Sequence, residues 1–106
     1  MRSLQLITDT EPEVDALFAA LVTVTIDPEQ ADSSRAFLRE QIVPMIKASP
    51  GFVAGYWLEP VDGASTAMVV FDTDANARAA APPVGPAPTP GVVVTSVHFA
   101  EIAASA

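Results

Sequence analysis

The feature that most restricts this chain is a set of strand-like runs that are apolar on both parities. Met68-Val69-Val70-Phe71 and Val92-Val93-Val94 carry no polar residue on either side, and Phe52-Val53-Ala54 and Tyr56-Trp57-Leu58 repeat the pattern. Side chains alternate across a strand, so a sheet covered on one face only should show a polar residue at every second position. These runs therefore need cover on both faces of whatever sheet they form.

The segments around them supply the rest of the fold. Phe18 to Ile26 reads as a first strand, β-branched and alternating through Val22-Thr23-Val24-Thr25-Ile26. Asp27-Pro28-Glu29-Gln30 carries helix-start signals: Asp27 as cap, Pro28 at the first helical position and Gln30 at the capping-box position. Asp32 or Ser33 offers a later start. The helix runs to about Ala48, with Leu38, Ile42, Met45 and Ile46 on one stripe and Glu40 and Lys47 opposite. Pro44 lies inside it. Lacking an N–H, it leaves the Glu40 carbonyl without its regular partner and predicts a kink or irregular turn over Glu40–Met45.

Ser49-Pro50-Gly51 ends that helix, and Phe52 to Glu59 reads as the second strand. Pro60-Val61-Asp62-Gly63 is a turn, and Asp-Gly between strand-like runs predicts a hairpin to a third strand, Thr66–Phe71. Asp72-Thr73-Asp74 can cap a short helix, Ala75–Ala81, which Pro82-Pro83 stops. Pro82 to Pro90 predicts an extended polyproline-like loop before a fourth strand, Val92–Ile102.

The order β-α-β-β-α-β defines an α+β fold of the ferredoxin-like, split-βαβ kind, a four-stranded antiparallel sheet with both helices on one face. Two helices cover one face only. The second face is then apolar and open, and a second copy about a two-fold axis would cover it, so a homodimer is expected. The alternative cover is residues 1–16 of the same chain. They belong to an N-terminal extension, 1–17, ahead of a single domain, 18–106. That extension reads either as a short strand (Leu4–Thr8) and a helical turn (Thr10–Leu17), or as a loose acidic arm.

Charge and composition narrow the function. Net charge is −8 from 13 acids and 5 bases, with no basic patch, so neither nucleic acid nor an anionic membrane is expected as a partner. There is no cysteine, which excludes disulfides, Cys-ligated zinc, iron–sulfur clusters and thiol nucleophiles. Met1 to Ile7 soon meets Asp9, Glu11, Glu13 and Asp15, leaving no signal-peptide core, and no apolar run reaches the length of a membrane span. A cytoplasmic location is the expectation. No Gly-rich phosphate loop, Ser-nucleophile motif, metal-loop spacing or His cluster occurs, so no cofactor and no metal are expected.

The segment Val22–Ile102 resembles the dimeric α+β barrel superfamily, in particular its antibiotic-biosynthesis-monooxygenase-like branch. The residues that carry the resemblance are Pro44, then Ser49-Pro50-Gly51-Phe52, then Gly55-Tyr56-Trp57-Leu58, and finally Val69-Val70-Phe71-Asp72 before an Ala-rich helix. The resemblance implies a small-molecule-binding homodimer. As an enzyme it would be a cofactor-independent monooxygenase acting on a planar aromatic substrate. The alternative is a non-catalytic ligand-binding or dimerisation module. Haem-degrading relatives use an Asn–Trp–His set. Here Asn76 falls in the short helix rather than the first strand, so that set is not carried over.

Candidate site residues follow. His98, the one histidine, is a candidate general base, or simply a histidine at the surface or rim. Trp57, with His98 a catalytic candidate, and Tyr56, a candidate for the substrate pocket, are adjacent in a strand and face opposite sides, so one should line a pocket under the helices. Leu38, Ile42 and Met45 would complete that pocket, unless all five positions are plain core. Arg35, Arg39 and Arg78 offer the arginines that oxygenase clefts use. The small face of Ala75, Ala77, Ala79, Ala80 and Ala81 leaves room for a cavity, or reflects helix propensity alone.

Overall fold

In a computed structural model of the chain, residues 16–105 are described. The readings of 1–15 fall outside them. The strands are β1 (Phe18–Ile26), β2 (Phe52–Trp57), β3 (Ala64–Phe71), β4 (Gly85–Pro86) and β5 (Val92–Glu101). They form one antiparallel sheet in the order β2-β3-β1-β5-β4. β3 lies between β1 and β2, as a split βαβ unit requires. The sheet has five strands, not the expected four. The addition is Gly85–Pro86, which pairs with Val94 and Val93 at the outer edge of β5. Proline tolerates such a site because an edge strand does not need every N–H in a ladder. Ala87 resumes the ladder, donating its N–H to the Val92 carbonyl at 3.0 Å.

The hairpin between β2 and β3 closes as its Asp-Gly pair dictates. Asp62 and Gly63 both adopt positive φ, 53° and 77°, the left-handed pair of a type I′ turn. Val61 and Ala64 exchange both backbone hydrogen bonds across it, at 2.8 and 3.0 Å.

The first helical stretch starts where its sequence signals lie. The Asp27 carboxylate accepts from the Glu29 N–H at 3.0 Å, and Pro28–Gln30 forms a 3-10 turn. Helix α1 (Ala31–Phe37), a π turn (Leu38–Ile42) and helix α2 (Val43–Lys47) then follow without a break. The irregularity expected from Pro44 is this π turn, and it falls earlier than Glu40–Met45. The Val43 N–H reaches back five residues to the Leu38 carbonyl. Widening the turn just before Pro44 accommodates a residue that has no N–H and whose ring would crowd the carbonyl four residues back.

Helix α3 (Asp74–Ala80) is capped by Thr73, whose hydroxyl accepts from the Asn76 N–H at 3.0 Å. It presses a fully buried Ala77 onto the sheet. The packed part of the core gathers there. Val69, Phe71 and Ala77 are surrounded by Phe18, Ile46, Phe52, Trp57 and Phe99. Phe52 meets Phe71 edge-on, centroids 6.3 Å apart, a favoured aromatic geometry. The Arg78 guanidinium lies over the Phe99 ring at 4.5 Å.

The other sheet face carries the opposite parity. Its middle row is Tyr56, Met68, Leu21 and His98, consecutive partners across β2, β3, β1 and β5. Tyr56, Met68 and Val93 are exposed there and Leu21 is half-buried. No described helix is long and apolar enough to cross a membrane.

Candidate functional site

Between the sheet and the first helix lies a cavity of about 300 Å³. Its floor is one parity of three strands: Ala20, Val22 and Val24 of β1, Ala67 and Val69 of β3, and Val92 and Val94 of β5. Leu38, Ile42, Met45 and Ile46 roof it. Trp57 closes the end toward β2, and Ala80 to Pro82 with Ala87 to Thr89 form the far wall. The Pro-rich loop therefore walls the space without filling it. Small residues leave the room: Ala20 and Ala67 below, Ala80 and Ala81 beside. A cavity of this size is at the lower end of what drug-sized ligands occupy.

Of the adjacent rings, Trp57 faces the cavity and Tyr56 faces away, 58% exposed on the open sheet face. Leu38, Ile42 and Met45 are in the wall as the helical stripe places them. Tyr56 does not belong to that pocket set, because strand alternation forbids two neighbours from sharing a face. His98 also lies outside. A bulge in β5 shifts the register between Ser96 and Val94, and His98 pairs with Leu21 on the open face. His98 and Trp57, paired as catalytic candidates, are thus on opposite sides of the sheet. Asn76 donates to the Asp72 carboxylate at 2.9 Å and joins neither of them.

Gly55 sets the orientation of Trp57. A Cβ at Gly55 would fall 2.8 Å from two atoms of the indole, so the ring lies back along its own strand over the glycine. Among the Ala-rich residues, Ala77 is core and Ala80 and Ala81 are cavity wall, while Ala75 and Ala79 are exposed.

Polar groups gather at one end of the cavity. Ser34, Arg35 and Arg39 come from the helix, Glu59 and Ser65 from the β2–β3 side. Arg35 donates from Nη2 to Glu59 Oε1 at 2.8 Å and lies 3.6 Å from Asp32. The hydrogen bond and the charge of Glu59 raise the Arg35 pKa, and the same contact holds the Glu59 carboxyl below its usual range. Arg39 adds a smaller pull on Glu59 in the same direction. Leu58 and Met45, 61% and 58% exposed, are apolar residues of the same lining. Among the described residues no three His, Asp or Glu side chains converge as a metal site would need.

Sequence reasoning missed Ser34 and Glu59, and gave Arg35 and Arg39 no position. One signal was available: Ser34, Arg35, Leu38, Arg39 and Ile42 share a helical stripe, so the polar and apolar wall residues fall on one side. Ala20 and Ala67 were also missed. They are small residues on the helix-facing parity of otherwise β-branched strands.

No family model matches the chain, and no curated protein matches it. Its fold is similar to a crystal structure of a protein of unknown function from Nitrosomonas europaea, with a TM-score of 0.63 and 15% identity. The match covers 88% of this chain and 95% of that one. At that identity the likeness establishes a shared α+β architecture and nothing about activity.

Proposed function

We propose that the protein binds a compact, largely apolar small molecule in the cavity between sheet and helices, and that it does so as a two-fold dimer of the dimeric α+β barrel kind. The carrying observation is the cavity itself: about 300 Å³, walled largely by aliphatic side chains and one indole. A concave, mostly apolar space with a few polar groups at its rim is the usual form of a small-molecule site. The resemblance to the monooxygenase-like branch supports the same place for a ligand. Its enzymatic form, oxygenation of a planar aromatic without flavin or metal, would rest on Trp57 and on orientation within the cavity. With His98 on the opposite face, binding is the reading the geometry favours.

The test uses the single tryptophan as its reporter. Naphthamide, a neutral planar probe, should bind with a change in Trp57 emission and a calorimetric heat. Trp57→Ala should weaken that binding about tenfold, the loss of an aromatic wall contact of roughly 1.4 kcal/mol. Unchanged affinity in Trp57→Ala would place the ligand elsewhere.

A further inference from the structure

We propose that the ligand of this cavity is an amphipathic organic anion, an apolar ring or chain carrying a carboxylate that Arg39 receives at the mouth. The inference rests on the cavity being the binding site and adds the class of ligand.

Five bases serve the whole chain, against thirteen acids, and two of them line this one opening. Arg35 is already engaged by Glu59 and Asp32. Arg39 has no carboxylate within 4.0 Å among the described residues. It is an exposed cation lining an apolar cavity, without an ion pair among the described residues. Ser34 makes the second observation. It is 6% exposed, lines the cavity, and its hydroxyl has no hydrogen-bond partner among the described residues. At that place in the wall the hydroxyl can donate to an acceptor on a ligand.

The wall chemistry sets the rest of the ligand. Val, Leu, Ile and Trp side chains offer nothing to a free inorganic ion, so the anionic head must carry an apolar body into the cavity. A carboxylate suits the head because its two oxygens match the guanidinium fork. Glu59 is the competing carboxylate at the same opening, held by Arg35 at 2.8 Å. It offsets Arg35, so that Arg39 is the lining cation without an ion pair among the described residues.

Naphthoate and naphthamide, which share a ring system and differ in charge, test this by calorimetry on the full chain. The wild-type protein should hold naphthoate roughly tenfold more tightly than naphthamide. Arg39→Gln should erase that preference, bringing naphthoate affinity down to that for naphthamide measured on the same variant. Arg39 is exposed, and matching thermal melts would show that the variant folds. Glu59→Gln should act in the opposite direction. It removes the competing anion, frees Arg35, and should raise naphthoate affinity several-fold. Equal affinities in the wild type, or a preference that survives Arg39→Gln, overturn the anion assignment while the apolar cavity stands. Failure of both probes to bind overturns the cavity reading and this inference with it.

Discussion

Gly55 and Glu59 each set one property of the cavity from a single position. With no side chain, Gly55 lets the Trp57 indole lie flat along β2; a methyl group there would meet the ring at 2.8 Å. Gly55→Ala should push the indole off the strand, destabilise the protein by about 1–3 kcal/mol as overpacking does, and weaken naphthamide binding. Urea denaturation and Trp57 emission check both effects; an unmoved emission maximum would count against this account of the ring. Glu59 governs the acid side. Its pKa is lowered first by the Arg35 hydrogen bond, then by the Arg35 charge, with Arg39 adding to it. A carboxyl lowered on folding contributes stability above its ordinary value, about 4.3, and loses it as pH falls through the lowered value. Both partners are well solvated, 40% and 70% exposed, so the contribution is small. The melting-temperature gap between wild type and Glu59→Gln should therefore be small near neutrality and close below about pH 4.3. At this scale the parity of Tyr56 and Trp57 was legible, because alternation is a property of the strand backbone. Which ring faced the cavity was not, because that depends on where the helices dock.

At the scale of elements, boundaries were legible wherever a local cap or turn sets them. The Asp27 start and the Asp-Gly hairpin each rest on hydrogen bonds between residues close in sequence, and the β1 span follows its β-branched alternation. The site of the π turn was less so. Pro44 announces a disturbance, but whether the helix bends or widens depends on its contact with the sheet. The two-residue strand Gly85–Pro86 was hidden for a similar reason, since only the edge of β5 makes it a strand. Helix α3 shows how far a local signal carries. At seven residues it is too short to be stable alone, so its cap matters. Thr73→Ala should cost about 1 kcal/mol, read as a lower denaturation midpoint at unchanged slope. Because Ala80 and Ala81 are cavity wall, the same variant should also loosen ligand binding.

For the whole molecule, the decisive feature is the sheet face away from the helices, exposed at Tyr56, Met68 and Val93. Leu21 and Met68 sit at its centre, flanked by Tyr56 and His98. If a second copy covers it, light scattering should report twice the chain mass at micromolar concentration, with an interface of at least about 1,200 Å². Leu21→Asp should then yield a folded monomer, since a charge buried at a two-fold centre meets its own copy. A stable wild-type monomer would end the dimer reading. What the sequence by itself determined is the order of elements, the antiparallel α+β class and the presence of apolar residues on both sheet faces. Those follow from periodicity, caps and turns, which act over a few residues. Only the tertiary structure decided that Trp57 rather than Tyr56 meets the cavity, that His98 lies on the opposite face, and that Arg35, Arg39 and Glu59 share one mouth. Those outcomes depend on a bulge in β5, a widened turn before Pro44 and the helix-to-sheet docking. The bulge and the docking join residues far apart in sequence, where no local pattern can carry the information.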